Sequence, residues 1–308
     1  MDAPPVKRPI VLDGMHGAWA CRARRYLQAV FPHSLFSAIH DTADSSFGGR
    51  VPDCSLPDAL VDLGESVYQE RAFLGIAFDG DGDRVAFVDD EGTPLTAEES
   101  TWILLQSFAG RLRGEPFVYD VKFSERVPEA ARKLGAEPLV ERSGHTFIRN
   151  RMLKIAAPFG AEASGHYFFR DLGGGDDGLF AACRLIAHLA ASGKTLSQMR
   201  RKSPRVYMTP DLRVRVKARY RPRVVRLVRE KWPQYPASEV DGVRIHFPDG
   251  WALVRNSATE PAVTFRFESG NWNRLAKFVS TFCDSLPEIG EALWASYEDA
   301  MGGMYEEE

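Results

Sequence analysis

Cysteine is scarce in this sequence, with four in 308 residues, at positions 21, 54, 183 and 283, and no two of them in a Cys-x-x-Cys spacing. That spacing is what zinc ribbons and dithiol redox motifs need, so both are excluded and buried free thiols are expected. Long hydrophobic runs are missing too: nothing approaches the roughly 20 apolar residues of a membrane-spanning helix. The first eight residues hold Lys7 and Arg8 but are broken by Pro4 and Pro5, with Pro9 following, and have no apolar centre. No secretory leader is expected from such a start, and a reducing cytoplasm is the expected setting. Charge of one sign is not in excess, since 39 Lys and Arg stand against 42 Asp and Glu for a formal net charge of -3. Broad binding to nucleic acid or to an anionic membrane is therefore not expected, while local basic clusters can still hold a small phosphorylated ligand. There is no internal repeat and no low-complexity tract.

What is present has a folded composition, 44% hydrophobic and 26% charged, which argues for packed domains rather than disorder. A chain this long outgrows one typical core, so two or three domains are expected. The run 9–14 predicts a buried strand ending in a turn, then a helical segment through Ala20, Tyr26, Leu27 and Val30. A helix over 58–68 leads to an apolar strand over 73–78, an acidic loop, a returning strand over 85–88 with a turn at 89–92, and a helix over 97–112. Gly114 opens a second α/β unit, with strands over 116–119 and 138–141 around a helix over 127–134. Its strongest helix follows Asp176-Asp177-Gly178, where an aspartate can cap free N–H groups, and stops at Gly193. After the basic break 200–204 the pattern becomes α+β. Strands are predicted over 212–216, 243–247, 251–255 and 263–268, with helices over 223–232 and from Trp272 onward. Domain boundaries are expected at 1–113, 114–204 and 205–308.

The sharpest motif is Asp79-Gly80-Asp81-Gly82-Asp83-Arg84, directly after an apolar strand. Three carboxylates at alternate positions, with glycines letting the backbone bend, can converge on one hard divalent cation, and an all-oxygen set favours Mg2+. An EF-hand is excluded because its sixth position would be Arg84, its twelfth Asp90, and a strand leads in. A second motif is Gly160-Ala161-Glu162-Ala163-Ser164-Gly165-His166, in which Glu162 and Ser164 can bond hydroxyl groups and His166 can meet a phosphate or share a proton. A third is Arg255-Asn256-Ser257-Ala258-Thr259-Glu260-Pro261, where a guanidinium and two hydroxyls can cradle a phosphate or simply form a polar turn.

Taken in order, Asp-Gly-Asp-Gly-Asp-Arg, Gly-x-Glu-x-Ser-Gly-His and Arg-x-Ser-x-Thr-x-Pro resemble the metal, sugar and phosphate loops of the α-phosphohexomutases, the phosphoglucomutase/phosphomannomutase superfamily. Asp120-Val121-Lys122 and Ser143-Gly144-His145-Thr146-Phe147-Ile148 resemble further signatures of that family, and the likeness runs from Ile10 to the C-terminal helix. The resemblance implies an α/β fold, two consecutive three-layer α/β/α domains followed by a smaller α+β domain. It implies that Asp79, Asp81 and Asp83 bind Mg2+ with Arg84 beside the transferring phosphoryl, and that Lys122, His145 and His166 surround the reacting end. It further implies that Glu162 and Ser164 fix sugar hydroxyls, and that Arg255, Ser257 and Thr259 hold the phosphate not being transferred. Taken alone, Lys122 reads as a surface lysine and His145 as a turn histidine. His16, His33, His40, His188 and His246 receive no functional role.

The sequence also departs from the family. Members usually begin with a further α/β domain whose loop holds a phosphoserine, and here the likeness starts at their second domain. Ala161 stands where a second glycine is common, Ala258 where asparagine or glycine is common, and His16 where asparagine is frequent. Ser45 and Ser46 are the local hydroxyls nearest in kind to the missing nucleophile, in a stretch that resembles a structural loop. The leading expectation is a mutase-type phosphotransferase acting on hexose phosphates, with a hexose 1,6-bisphosphate as activator and its serine domain supplied by a separate polypeptide. A metal-dependent sugar phosphatase and a non-catalytic phosphosugar-binding protein are the alternatives, since function depends on how the site is completed.

Overall fold

A computed structural model describes residues 4–108, 110–257 and 260–302, and the chain divides into two compact units, residues 1–204 and 205–308. The first unit holds two sheets. Strands β1 (Ile10–Asp13), β2 (Phe36–Ile39), β3 (Leu74–Phe78) and β4 (Val85–Val88) are ordered β2-β1-β3-β4, with β4 antiparallel to its neighbour and the others parallel. Every residue of β1 and β3 is buried, as expected where helices cover both faces of a parallel sheet. Strand alternation then sends Val11 and Ala77 to one face, against Leu63 and Val67 of helix α2 (Val61–Gln69). Ile10, Leu12, Leu74, Ile76 and Phe78 go to the other, facing helices α1 (Ala23–Val30) and α3 (Ala97–Gln106).

The second sheet, ordered β6-β5-β7-β8-β9, is built from β5 (Pro116–Asp120), β6 (Glu137–Glu141), β7 (Phe159–Ala161), β8 (Tyr167–Phe169) and β9 (Gly175–Asp176). Helices α4 (Arg126–Lys133), α5 (His145–Ile155), α6 (Gly178–Ser192) and α7 (Leu196–Arg200) accompany it. Val118 and Phe168 pack on Ile148 and Met152 of α5, whereas Phe117, Tyr119 and Phe159 join the same apolar cluster as the first sheet. The two three-layer pieces therefore share one continuous interior. Its aromatic centre is Phe159, fully buried, with the rings of Phe108, Phe117, Tyr167 and Phe169 at 4.9 to 6.4 Å.

The second unit is an antiparallel sheet ordered β10-β15-β14-β13-β12, with β11 also on β15. Its strands are β10 (Tyr207–Met208), β11 (Leu212–Arg215), β12 (Ala237–Ser238), β13 (Val243–Phe247), β14 (Gly250–Asn256) and β15 (Ala262–Ser269). Helices α8 (Arg221–Lys231), α9 (Trp272–Asp284) and α10 (Gly290–Met301) close a core of Val254, Phe265, Phe267, Leu275, Val279 and Phe282.

Several elements depart from the sequence pattern. The helix expected over 97–112 starts at its capping box, Thr96 with Glu99, but ends at Gln106, because the Ser107 hydroxyl donates to the Leu104 carbonyl and Gly110 turns left-handed at φ 73°. Phe108 and Leu112 stay buried without the helix. Strand β2 and helices α5 and α10 have no counterpart in the pattern reading. Cys21 is exposed, whereas Cys54, Cys183 and Cys283 are buried as expected. Tail residues 305–308 lie outside the described residues, and no helix among the described residues is long and apolar enough to cross a membrane.

Removing the hub ring tests the shared interior. Phe159→Ala should cost about 3–5 kcal/mol, read as a lowered midpoint of urea unfolding followed by circular dichroism.

Candidate active site

In the first unit three chain segments leave parallel strands at their C-terminal ends, which is where open α/β sheets place ligands. Residues 79–84 follow β3, Val121 and Lys122 follow β5, and the turn 162–166 joins β7 to β8. One carboxylate oxygen each from Asp79, Asp81 and Asp83 lies within 4.8 Å of the others.

The acidic loop holds its shape through Asp79, which is almost fully buried. Its Oδ1 accepts the N–H groups of Gly82 at 3.0 Å and Arg84 at 3.1 Å, and its Oδ2 accepts Arg84 Nε at 2.6 Å. A carboxylate offers about four lone-pair sites, so one remains on Oδ2. Gly82 must be glycine: at φ 88° its backbone is left-handed, and an added Cβ would lie 2.4 Å from Trp19, whose indole N–H donates to the Gly82 carbonyl at 2.8 Å. Arg84 reaches further, to Asp53 Oδ1 at 2.7 Å. Burial raises the Asp79 carboxyl above its usual range, opposed by the Arg84 charge.

The turn 162–166 docks on this loop through the backbone. Arg84 and His166 form an antiparallel bridge, and Val85 N–H donates to the Gly165 carbonyl at 3.2 Å. The His166 ring then lies among four acceptors. Its Nε2 is 3.4 Å from Asp83 and 3.8 Å from Asp176, and its Nδ1 is 2.8 Å from the Ser164 hydroxyl and 3.3 Å from Glu162. Burial opposes charge on this imidazole, but hydrogen bonds to Asp83 and Glu162 and their negative charge outweigh it and push its pKa up to about 9. In return, the bond to His166 lowers Asp83. For Glu162, burial is outweighed by His166 and Lys122, and the carboxyl is also lowered.

Asp120 is fully buried at the end of β5. Its Oδ1 accepts the Lys122 N–H at 2.9 Å, and its Oδ2 lies 3.2 Å from the Ser143 hydroxyl, 3.3 Å from the Ala163 N–H and 3.9 Å from Lys122 Nζ. It thereby ties three segments together. Burial raises its carboxyl, with Lys122 opposing. Exposed His145 begins α5, its ring 5.7 Å from that of His166.

The expected site residues Asp79, Asp81, Asp83, Arg84, Lys122, Glu162, Ser164 and His166 fall on these three segments, and His145 lies outside them at the start of α5, its ring beside that of His166. Three further aspartates belong with them and were missed as site residues. In the sequence Asp120 stands out only within the Asp120-Val121-Lys122 signature and Asp176 only as one of two capping candidates; Asp177 is the cap, accepting Phe180 N–H at 2.8 Å. Nothing in the loop around Pro52 marks Asp53 as the partner of an arginine.

In the second unit Arg255 lies at the end of β14 and is mostly buried against Asp241, Nε to Oδ2 at 2.8 Å, a close charge contact rather than an aligned hydrogen bond. Gly242 presses that turn onto the strand, since an added Cβ would lie 2.1 Å from the Val254 carbonyl. The Ser257 hydroxyl accepts the Glu260 N–H at 3.1 Å. Thr259 lies outside the described residues. Arg255 is therefore an engaged cation, where the sequence suggested one waiting for phosphate.

The oxygen-only set of Asp79, Asp81 and Asp83 suits a hard cation such as Mg2+. A second group, Asp83 with His166 and Asp176, mixes nitrogen and oxygen in the way softer divalent metals favour.

Comparison with known proteins places these segments in context. Family models described as phosphoglucomutase/phosphomannomutase alpha/beta/alpha domain II, alpha/beta/alpha domain III and C-terminal domain match residues 3–92, 97–207 and 211–285. A phosphomannomutase/phosphoglucomutase of Pseudomonas aeruginosa is 29% identical over 294 residues, 94% of this chain and 63% of that protein. A phosphoglucomutase of Neisseria meningitidis is 31% identical over 299 residues, 94% of this chain and 64% of that one. The crystal structure of a phosphoglucomutase/phosphomannomutase family protein from Burkholderia thailandensis matches with a TM-score of 0.83 at 29% identity, covering 92% of this chain and 61% of that one. The chain spans less than two thirds of the length of these relatives.

Two measurements check the geometry. Asp81 is exposed and has no hydrogen bond among the described residues, so Asp81→Asn should leave the melting temperature unchanged while weakening Mn2+ binding, followed by electron paramagnetic resonance. Loss of an outer partner alone costs about 10–100-fold in metal affinity, and loss of a ligand should cost at least as much. In the metal-free protein the His166 ring should titrate near pH 9 by nitrogen-detected NMR. Its folded pKa is raised, so its contribution to stability should be complete below the ordinary histidine value of 6.5 and disappear as pH rises through about 9.

Proposed function

The chain belongs to the phosphoglucomutase/phosphomannomutase family, and from that premise we propose that it acts in phosphoryl transfer on hexose phosphates of the glucose and mannose 1- and 6-phosphate class. The observation that carries the reading is the joint between the acidic loop and the turn 162–166, where His166 stands within 3.4 Å of both Asp83 and Glu162. Such a joint puts hydroxyl-binding groups beside a cation-binding group, as transfer to or from a sugar oxygen requires.

In this reading Asp79, Asp81 and Asp83 hold Mg2+, which when bound neutralises charge on the transferring phosphoryl. Arg84, fixed by Asp79 and Asp53, presents its guanidinium edge to the same group without needing to reorganise. Glu162 and Ser164 accept and donate hydrogen bonds to sugar hydroxyls. Lys122, restrained near Asp120, exchanges a proton with the reacting hydroxyl at Nζ, and His145 and His166 orient the phosphate oxygens. Arg255, Ser257 and Thr259 bind the other phosphate, which shares Arg255 with Asp241. The roles follow the proposed domains, with the aspartates in 1–113, the sugar turn in 114–204 and the phosphate loop in 205–308.

Phosphoryl exchange also needs an acceptor that returns the group. We place it on a phosphoserine domain outside these 308 residues, supplied by a separate polypeptide in a reducing cytoplasm, with a hexose 1,6-bisphosphate as activator.

Phosphorus NMR of the protein with Mg2+ and glucose or mannose 1-phosphate, with and without the bisphosphate and a serine-domain polypeptide, tests the reading. The expected outcome is 6-phosphate appearing only when the serine domain is added, and falling about 10²–10⁴-fold in Lys122→Met, the usual span for a lost acid–base group. Release of inorganic phosphate instead would mark a phosphatase, and binding without turnover in every mixture a phosphosugar-binding protein; either would overturn the mutase reading.

A further inference from the structure

A cavity of about 530 Å3 in the first unit, lined in part by Pro52, is not used by the reading above. Seven non-glycine residues among those described have left-handed backbones, and four of them, Met15 (φ 44°), His16 (55°), His40 (45°) and Phe47 (51°), line this one cavity. Side-chain residues adopt that conformation at a cost, and such strain persists where surrounding structure fixes it, often around a ligand.

The floor of the cavity is polar. Asp13 is 1% exposed; its Oδ1 accepts the Met15 N–H at 2.8 Å and lies 3.0 Å from His40 Nδ1, but its Oδ2 has no hydrogen-bond partner among the described residues. A buried oxygen without a donor is costly and needs a reason. Burial raises the carboxyl, with the Met15 N–H, His40 and Arg50 opposing. His16, His40 and Arg50 are already engaged. His16 Nδ1 is 2.7 Å from the Thr42 carbonyl, His40 Nε2 is 3.4 Å from Asp62, and Arg50 is ion-paired to Asp62 at 2.5 Å. Asp13, Asp58 and Asp62 line the cavity together with one guanidinium, that of Arg50, which is itself committed to Asp62. The mouth is apolar, with Val51, Leu56 and Val61 at 68%, 45% and 52% exposure.

We infer that this cavity is a second ligand site, built for a small organic ammonium or amidinium whose apolar body covers Val51, Leu56 and Val61 while its N–H groups supply the donor that Asp13 lacks. An anion is disfavoured by the three carboxylates, and a purely apolar molecule would leave Asp13 unanswered. The site also has a line of contact to the metal loop. Pro52 lines the cavity, its carbonyl accepts the Gly80 N–H at 3.0 Å, and the next residue, Asp53, holds Arg84. An occupant therefore presses on the segment that positions the acidic loop.

The inference is independent of the phosphotransferase reading and is tested by binding alone. Benzamidine, phenethylamine, benzoate and toluene are titrated into the full chain by isothermal calorimetry, with the imidazole resonances of His16 and His40 followed by NMR. The two cations should bind and move both resonances, and benzoate and toluene should bind at least about tenfold more weakly, since a charge-assisted bond is worth about 1.5–3 kcal/mol. Asp13→Asn should weaken benzamidine by about the same factor. Ala59→Trp, on a short surface helix at the mouth, should abolish binding by filling the cavity even if the buried substitution fails to fold. Equal binding of benzoate, benzamidine affinity unchanged by Ala59→Trp, or binding that leaves both histidine resonances in place would overturn the inference.

Discussion

The first unit depends on a close approach of backbones at residues 84 and 85. Gly165 is left-handed there, and an added Cβ would stand 3.0 Å from the Val85 carbonyl; at Gly178, the first residue of α6, it would stand 2.8 Å from the Arg84 carbonyl. The end of the acidic loop is thus held between the turn of one sheet and the start of a helix from the same half of the unit. Only that contact lets His166 reach Asp83, since the histidine is fixed to the turn and the aspartate to the loop. Everything electrostatic at the site follows from it. The buried imidazole carries charge because two carboxylates face it, and those carboxylates stay ionised because the imidazole faces them.

Around that joint the supports are redundant. Asp79 collects three N–H groups within its own loop, Arg84 spans to Asp53, Trp19 clasps Gly82, and Asp120 draws together the end of β5, the Ser143 segment and the turn 162–166. Each support is a group with no freedom to rearrange when a ligand arrives, which is the condition for electrostatic preorganisation. The exposed positions, Asp81 and His145, are those without such restraint.

Legibility in the sequence followed the length of the signal. The strands at 74–78 and 85–88 and the helix after Asp177 were evident because unbroken apolar runs and a capping aspartate are local features. The three loops were evident because their side chains are spaced for chemistry within a few residues. Strand β2 escaped because Phe36–Ile39 offers only one buried residue and gains its identity from pairing with β1. Helix α5 begins at a histidine with no side-chain cap, so nothing local announced it. The same reason hid Asp53 and Asp120: an aspartate 31 positions from its arginine, and another joined to residues 23 and 43 positions away, are defined by the fold alone. Arg255 was legible as a cation but not as a paired one, because Asp241 meets it only when the 241–242 turn folds onto β14.

The two glycines at the joint also set limits on redesign. With no room for even a methyl group beside residues 84 and 85, lengthening or stiffening the turn 162–166 would pry the two sheets apart. Any change at this turn is therefore limited to side chains carried on an unchanged main chain.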